Sequence, residues 1–339
     1  MSKLNGVMIL PTGLGCSIGG DAGFNSGCKL IAECSENLVV NPNLVNASDL
    51  NEMPNNCLYI EGSAIDRFLS GKLNLQKIKT FNKILMAVNS PVLPVNYNSQ
   101  NAGIWGLGAD IEIIQLNTPL LMKAEINTDG TAGGIYSGVE ELVEQLIDKE
   151  YDALALHTPI ECASELSEYY WKNGGVNPWG GAEAITSHAI AELINKPVAH
   201  APYSTDAEEL HVLKTTVVKQ SMAPEIISNT YLFSVLKGLH RAPRIVLDTN
   251  KMHPDILSRD DIAFLLTPHG CWRRPHQSCL ENNIPIIVVR ENTTCFSKDF
   301  QYLNEKGIIF VENYLEASGV IMAMTAGVDY RTVTLKGKK

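Results

Sequence analysis

Short apolar runs recur along the chain, and most of them lack the apolar and polar alternation that marks a half-exposed strand. Runs of this kind are typical of strands buried on both faces, as in a parallel sheet covered by helices. They cover residues 6–10, 38–40, 58–60, 84–88, 111–114, 153–156, 198–199, 245–247, 262–266, 284–289 and 308–311.

Helical patterns lie between several of these runs. The clearest covers residues 139–147, where apolar residues recur at the spacing of one helix face. Ser137 and Glu140 in front of it match a capping box. Similar patterns cover residues 182–194, 224–239 and 312–326. This alternation predicts an α/β fold with one or more mostly parallel sheets and flanking helices.

The chain has 339 residues, which suits either one large α/β domain or two packed lobes. Residues 90–134 are rich in Asn, Gly and Pro and break the strand and helix rhythm, so they indicate an antiparallel excursion, a lid or a junction. We place a boundary near residue 130. An N-terminal lobe would then cover residues 1–130, and a C-terminal lobe residues 131–335.

The charge and composition of the chain limit the classes of binding partner that we expect. The formal net charge is −10, and the dense basic cluster is a short tail of Lys336, Lys338 and Lys339, so nucleic acid is not an expected partner. We also expect no membrane partner, since no window has the apolar length of a spanning helix. Eight scattered cysteines fit a reducing compartment and predict a cytoplasmic protein. A homo-oligomer, most simply a homodimer, is the base-rate expectation for a protein of this kind.

A glycine-rich segment, residues 11–23, follows the first predicted strand and precedes a helical pattern. Its glycines would let backbone N–H groups approach an anion at a helix N-terminus. The spacing fits neither a P-loop nor the dinucleotide fingerprint, and a turn without a ligand is the competing interpretation. The residues assigned to binding are Thr12, Gly13, Gly15, Gly19 and Gly20.

A second glycine-bearing turn, at residues 177–182, leads into a helix that carries Glu183 and His188. We place Glu183 in the first turn, where it either complements the helix dipole or acts in catalysis. His188 projects about 140° away from it on a helix of 3.6 residues per turn, and is either a core histidine or a catalytic one. His200 ends the next strand, where open parallel sheets bind ligands and where a histidine can serve as general acid or base.

Further polar residues follow other predicted strands. Glu61 and Arg67 follow the third, where Ser63 and Asp66 match a capping box, so Asp66 already has a structural explanation. Candidate substrate-binding residues also stand at the ends of the second and the late strands, and the arginines suit forked hydrogen bonds to a carboxylate or phosphate. They are Asn41, Asn43, Arg273, Arg290, Glu291 and Asn292.

Three strand ends carry a threonine four residues before a cysteine, which is either an old duplication or chance. If the three cysteines converge, they provide a thiolate centre or three ligands of an iron–sulfur cluster. They are Cys16, Cys162 and Cys271. A zinc site is not expected, because the spacing of His269, Cys271, His276 and Cys279 fits no common zinc arrangement.

With these segments in view, the chain resembles the uncharacterised family catalogued as domain of unknown function number 3326 along nearly all its length. The matching segments are residues 11–15, 18–23, 41–46, 59–62, 66–68, 181–185, 187–188, 199–202 and 289–292. The resemblance implies no reaction or cofactor. It implies only that the glycine-rich opening and the polar residues Glu61, Glu183, His188, His200, Glu291 and Asn292 belong to the family's characteristic segments.

The leading hypothesis is an enzyme that acts on a small anionic metabolite, carboxylated or phosphorylated, by general acid/base chemistry of lyase, isomerase or hydrolase type. The candidate catalytic residues are Glu183, His200, Glu61 and His188. One alternative is a cysteine-centred enzyme, and another is a non-catalytic ligand-binding or scaffold protein of a biosynthetic pathway. The sequence assigns no cofactor.

Overall fold

A computed structural model describes residues 3–203, 217–219, 222–223, 231–297 and 307–333. Its helices are α1 (Asn25–Glu33), α2 (Gly62–Leu69), α3 (Pro94–Ala102), α4 (Val139–Leu146), α5 (Ser164–Asn173), α6 (Pro178–Ile194), α7 (Tyr231–His240), α8 (Arg274–Glu281) and α9 (Tyr314–Thr325). Its strands are β1 (Leu4–Met8), β2 (Ser35–Val40), β3 (Cys57–Tyr59), β4 (Asn74–Gln76), β5 (Lys83–Val88), β6 (Asp110–Gln115), β7 (Leu121–Ile126), β8 (Ala132–Ser137), β9 (Ala153–His157), β10 (Val198–His200), β11 (Arg244–Val246), β12 (Ile256–Leu257), β13 (Ile262–Pro268), β14 (Ile286–Val289) and β15 (Ile308–Val311).

The larger sheet has six strands, all paired in parallel, in the order β15-β14-β13-β1-β2-β3. β1 lies in its interior, with Val7 paired to Leu265 of β13 on one side and to Val39 of β2 on the other. Gly6 admits the ring of Phe264, because a Cβ at Gly6 would lie 2.1 Å from the Cζ atom of that ring. The first apolar segment of the chain is therefore a central strand.

The second parallel sheet has four strands in the order β10-β9-β5-β6. The antiparallel elements are smaller: β11-β4-β12 form a three-stranded sheet, and β7 and β8 form a hairpin. α6 lies against this hairpin and against β10, and it also contacts α2. These contacts bring α6 to the place where the two parallel sheets approach each other.

Both parallel sheets are covered on two faces, which explains the unbroken apolar runs. In β2, Leu38 and Val40 enter a core with α1, α7 and α9, while Val39 enters another core with α2. In β9, Ala153 and Ala155 belong to the first of these cores, whereas Leu154 and Leu156 pack with α4 and α6. The shared core joins the two sheets into one packed body.

The predicted fold class is confirmed, since both main sheets are parallel and flanked by helices. Every predicted strand overlaps an observed strand. Of the three alternatives given for residues 90–134, an antiparallel excursion, a lid or a junction, the hairpin of β7 and β8 corresponds to the first. Within residues 224–239, the described part is helical in α7, and residues 224–230 lie outside the described residues.

Two predicted capping boxes are wrong. α4 has Gly138 as its N-cap, in the left-handed region at φ 89°, and Ser137 ends β8 instead of capping the helix. α2 has Glu61 as its N-cap, so Ser63 lies inside the helix. In both places the chain enters the helix from a strand, and this geometry decides which residue occupies the cap position.

The two parallel sheets draw on different stretches of the chain. The larger one combines β1–β3 with β13–β15, and the smaller one combines β5 and β6 with β9 and β10. Strand pairing does not test whether either part folds alone, so the lobe boundary near residue 130 stays a prediction. Among the described residues, no helix is both long and apolar enough to cross a membrane.

Candidate functional site

A cavity of about 220 Å³ lies where the carboxyl ends of β1, β2 and β3 face the end of β10. α6 supplies one wall, and the segment leading into α8 supplies another. The polar residues that line it are Thr12, Asn41, Asn43, Asn46, Glu61, Asp66, Glu183, Ser187, His188, His200, Cys271, Arg273 and His276. Side chains from distant parts of the sequence thus share one hollow, as expected at the carboxyl edge of a parallel sheet.

Glu61 lies two residues after the end of β3 and is only 3% exposed. Its Oε1 atom accepts hydrogen bonds from the N–H of Ala64, at 3.0 Å, and from the Ser63 hydroxyl, at 3.2 Å. Its Oε2 atom is buried without a hydrogen-bond partner among the described residues. Burial raises the pKa of Glu61 to about 7, against the opposing effect of the hydrogen bonds in the first turn of α2.

His200 ends β10 and is 5% exposed. Its Nε2 atom lies 3.0 Å from the carbonyl oxygen of Thr158 and 3.1 Å from Oγ1 of the same residue. Burial, together with the neighbouring His157, lowers the pKa of His200 to about 3, against the opposing effect of the hydrogen bond to the Thr158 backbone. The imidazole is therefore neutral at neutral pH.

Glu183 and His188 both lie on α6 and line the cavity. The helix begins at Pro178, where the side chain of Asn177 accepts the N–H of Trp179 at 2.9 Å, so Glu183 lies in the second turn and not in the first turn, as predicted. It is therefore too far along α6 to serve as a first-turn partner of the helix dipole. Both residues are half-buried.

His188 packs against the start of α2. A Cβ on Gly62 would lie 2.9 Å from the Nε2 atom of His188, so the glycine makes room for the ring. Burial lowers the pKa of His188, while the nearby Glu192 carboxylate acts in the opposite direction. The ring is thus neither a fully enclosed core histidine nor a freely exposed one.

The two asparagines that follow β2 hold the end of β1. Asn41 Oδ1 accepts the N–H of Leu10 at 2.9 Å, and its Nδ2 donates to the Leu10 carbonyl oxygen at 2.8 Å. Asn43 Nδ2 donates to the carbonyl oxygens of Leu10, at 3.2 Å, and Gly20, at 2.9 Å. They line the cavity and at the same time fix the segment that carries Thr12.

Asp66 is a cavity residue that the sequence did not single out. It lies inside α2 and has no capping role, because Glu61 is the N-cap. Burial raises the pKa of Asp66 to about 6, with Glu192 acting in the same direction and Arg274 against it. The sequence could have shown that Asp66 is not part of a cap, because Glu61 lies two residues after β3 and can itself accept the first N–H groups of the helix.

A thiol and an imidazole meet on another wall. The Sγ atom of Cys271 lies 2.6 Å from Oγ1 of Thr267, 3.0 Å from the carbonyl oxygen of Pro268 and 3.7 Å from Nε2 of His276. Burial raises the pKa of Cys271 to about 12 and lowers that of His276 to about 4. Both groups are therefore neutral, which leaves the thiol in its less nucleophilic form.

The other two cysteines of the repeated pattern do not join Cys271. Cys16 and Cys162 are absent from the cavity lining, and Cys162 Sγ contacts the neighbouring Ala163 carbonyl. Throughout the described part of the chain, which includes all three cysteines, no group of three or more His, Cys, Asp or Glu side chains is placed to hold a metal ion. A three-cysteine cluster is therefore not formed.

The glycine-rich segment is docked onto the protein beside the cavity. The N–H of Ser17 donates to the Thr293 carbonyl oxygen at 2.8 Å, and the N–H of Ile18 donates to Asn292 Oδ1 at 3.0 Å. Its glycines have positive φ and are not among the residues that line the cavity; they are Gly13, Gly15, Gly19, Gly20 and Gly23. The two N–H groups are thus used in holding the segment, and Thr12 is its candidate residue that reaches the cavity.

The remaining candidates divide between the cavity and the surface around it. Arg273 is exposed at the cavity, whereas Arg67 donates to Asn195 Oδ1 at 2.7 Å away from it. Arg290 lies 3.7 Å from the Glu312 carboxylate, also outside the cavity. Glu291 is exposed, and its carbonyl oxygen accepts the Ser17 hydroxyl.

Asn292 is a buried joint rather than a cavity residue. It is 0% exposed, and its Nδ2 donates to the Tyr314 hydroxyl at 2.7 Å while its Oδ1 accepts the N–H of Ile18. It therefore connects the glycine-rich segment to α9.

The fold and site define an α/β protein with two covered parallel sheets and a cavity at their facing carboxyl ends. The chain belongs to the family described as Protein of unknown function (DUF3326), whose model matches residues 5–334. It is similar to an uncharacterized lipoprotein of Synechococcus sp., with 29% identity over 341 residues that cover 96% of this chain and 92% of the relative. None of the solved structures matches the chain.

Proposed function

We propose that the cavity is the active site of an enzyme that acts on a small carboxylated or phosphorylated metabolite by general acid/base chemistry. The observation that carries the proposal is Glu61, a buried carboxyl on the cavity whose pKa is raised to about 7. A general acid or base works best when its pKa lies near the operating pH. Glu61 can therefore both accept and return a proton under neutral conditions.

His200 and Glu183 serve different parts of the same reaction. His200 is neutral and cannot stabilise negative charge as a cation, so its role is to orient a hydrogen-bond donor of the substrate. Glu183 is half-buried on the wall that α6 supplies, where it can assist proton transfer. Two carboxyls in different environments favour a lyase, isomerase or hydrolase, in which one proton leaves the substrate and another is added.

Arg273 holds the anionic group of the substrate. It is exposed at the cavity, and its guanidinium lies 5.2 Å from the ring of Phe296, which limits its orientation. A guanidinium presents paired N–H donors that match a carboxylate or phosphate. The anion then stays near solvent, and the reacting part of the metabolite reaches the buried carboxyl of Glu61.

The test compares turnover of a small-molecule extract by the full chain and by two variants, with products followed by mass spectrometry in D₂O. We expect the unaltered protein to consume a carboxylated or phosphorylated metabolite, or to introduce deuterium into it. Glu61→Gln should slow this reaction by about 10²–10⁴-fold, the usual share of a general acid or base. Glu36→Gln is the matched control, because Glu36 is exposed near the start of β2, away from the cavity.

Equal turnover by Glu61→Gln would overturn the assignment. Tight retention of a metabolite without any chemical change would instead identify a non-catalytic binding protein. Neither outcome depends on knowing the substrate beforehand.

A cysteine-centred enzyme is the second candidate, because Cys271 and His276 line the same cavity with Sγ and Nε2 3.7 Å apart. Nδ1 of His276 accepts the N–H of Arg273 at 3.2 Å, so the neutral ring carries its proton on Nε2. A basic group of the substrate that took up the thiol proton would produce the reactive thiolate, to which Nε2–H of His276 can donate. Iodoacetamide should then label Cys271 and abolish turnover, and the substrate should protect the thiol. Retained activity in Cys271→Ser would exclude this candidate.

We propose further that the protein is cytoplasmic, although the relative in Synechococcus sp. is named a lipoprotein. Lipid attachment at Cys16 with loss of the preceding residues would remove β1, the strand between β13 and β2. Cys28 and Cys57 are free thiols with Sγ atoms 3.6 Å apart, as suits a reducing compartment. Recovery of the protein in the membrane fraction with a lipid-modified Cys16 would contradict this location.

A further inference from the structure

Among the described residues that line it, the cavity carries more acidic than basic side chains. Its carboxyls are Glu61, Asp66 and Glu183, and its arginine is Arg273, which is exposed. The histidines do not restore the balance, because burial lowers the pKa of His188 and lowers that of His200 to about 3. Among the described residues that line the cavity, the inner side chains are thus mainly acidic, and the positive one, Arg273, stands at the exposed side.

Two buried atoms of the cavity residues have no hydrogen-bond partner among the described residues: Oε2 of Glu61 and Nδ1 of His200. Nε2 of His200 faces the carbonyl oxygen of Thr158, which can only accept, so Nε2 carries the ring proton and Nδ1 is an acceptor. Ionised Glu61 offers acceptors alone. When Glu61 is ionised, both atoms are acceptors, and a buried acceptor without a donor costs about 1–3 kcal/mol. The backbone of Val198 also acts on Glu61 and lowers its pKa.

Asp66 adds a second carboxyl without a salt bridge in the described part of the chain. Burial raises the pKa of Asp66 to about 6 and that of Glu61 to about 7. Ionisation of either carboxyl therefore destabilises the folded protein. The charged and titratable groups described around them include Tyr59, Glu183, His188, Glu192, His200, Cys271, Arg273, Arg274 and His276. A bound cation would favour the ionised form of both carboxyls and would supply donors.

We propose that the ligand of the cavity carries a protonated amine, which lies among Glu61, Asp66 and His200, in addition to an anionic group held at Arg273. This inference rests on the proposed function and specifies its substrate as a small zwitterion, such as an amino acid or a phosphorylated amine. The volume of about 220 Å³ suits a molecule smaller than most drugs. The amine also shifts Glu61 to the carboxylate, the form that takes up a proton.

The first test uses matched probes on the full chain: ω-amino acids, ω-hydroxy acids and dicarboxylates of equal chain length, each over a range of lengths. Binding is measured by calorimetric titration. We expect one ω-amino acid to bind at least about tenfold more tightly than the hydroxy acid and the dicarboxylate of its length, a difference of about 1.4 kcal/mol. Titrations in two buffers of different ionisation enthalpy should show protons released on binding at neutral pH.

Two sets of variants distinguish direct contact between the amine and the cavity carboxyls from the effect of a more distant negative charge. Glu61→Gln with Asp66→Asn should abolish both the preference for the amine and the proton release. Glu192→Gln removes one negative charge from α6 near Asp66 and His188, but Glu192 does not line the cavity. This control should keep the preference for the amine, because it leaves the contacting carboxyls in place.

Tighter binding of the dicarboxylates, or no preference for the amino acids at any length, overturns the inference. So does a divalent metal ion that displaces the amino acid and binds with loss of the same protons. Failure of the proposed function gives a different result, namely amine binding without turnover of any metabolite. Turnover that needs Glu61 but uses a metabolite without a basic nitrogen leaves the proposed function intact and refutes the amine.

Discussion

The imidazole of His200 is fixed by the main chain of Thr158, with Nε2 placed 3.0 Å from the carbonyl oxygen. A carbonyl oxygen only accepts, so this contact selects the tautomer with the proton on Nε2. The contact also joins the ends of two neighbouring strands, since His200 ends β10 and Thr158 directly follows β9. One hydrogen bond thus sets the protonation state of a cavity residue and its position.

His200 should remain neutral through the whole neutral and mildly acidic range, because its pKa is lowered to about 3 by burial. Its folded pKa lies below the unfolded value, so its contribution to stability is present above about pH 6.5 and is lost as the pH falls towards 3. Nitrogen-15 NMR of histidine-labelled protein should show a protonated Nε2 and an unprotonated Nδ1 for His200. A titration of this ring near pH 6.5 would contradict the assignment.

Glu61 should make the free energy of unfolding depend on pH in the opposite direction. Its pKa is about 7 in the folded protein and near 4.5 in an unfolded chain, so the folded state binds more protons between these values. Stability therefore falls as the pH rises through this window, on the order of 1–3 kcal/mol. Urea denaturation from pH 5 to pH 8 should show a smaller fall for Glu61→Gln than for the unaltered protein.

The same measurement contains its control, because Asp66 and the histidines titrate in both proteins. The difference between the two curves isolates Glu61. If the free energies of unfolding of the two proteins depend on pH in parallel, the pKa of the Glu61 carboxyl is not raised.

The strands of the parallel sheets can be predicted from sequence because their residues are buried on both faces. Residues 38–40 illustrate this, since Leu38 and Val40 enter one core and Val39 enters another. β4 and β7 are missed because Asn74, Gln76 and Lys123 interrupt the apolar run in short antiparallel pairs. Local apolar pattern therefore identifies the covered sheets and fails at the smaller ones.

The candidate site can be predicted where a polar residue lies at the end of a strand or within two residues after it. His200 and Glu61 satisfy this rule and line the cavity, although their catalytic roles stay predictions. Asp66 and His276 enter the cavity through helix packing, which no local pattern reports. The docking of the glycine-rich segment could not be predicted from local sequence, because its partner Asn292 lies 274 residues from Ile18. Anion binding by this segment stays a prediction.

Asn292→Ala should destabilise the protein because Asn292 is fully buried and joins Ile18 to Tyr314. The substitution leaves the N–H of Ile18 and the hydroxyl of Tyr314 without their partner, at a cost of about 2–5 kcal/mol. Denaturant unfolding measures this loss. A double-mutant cycle with Tyr314→Phe should show coupling between the two side chains, whereas additive effects would contradict the joint.

Gly181→Ala should destabilise the protein although alanine is the better helix former. α6 passes so close to the hairpin that a Cβ on Gly181 would lie 2.4 Å from the carbonyl carbon of Ala132 and from the N atom of Gly133. These are backbone atoms, so α6 must move away from β8, at a cost of roughly 1–3 kcal/mol. The shift also displaces Glu183 and His188, and turnover of the substrate should fall with stability.

Gly319→Ala is the matched control for this prediction. Gly319 also lies within a helix, α9, but a Cβ there would have no neighbour within 4 Å. This substitution should raise stability by up to about 1 kcal/mol, because glycine is the poorer helix former. Thermal and urea unfolding of both variants decide the matter: stabilisation by both substitutions would mean that helix propensity, and not the close contact of α6 with β8, governs position 181.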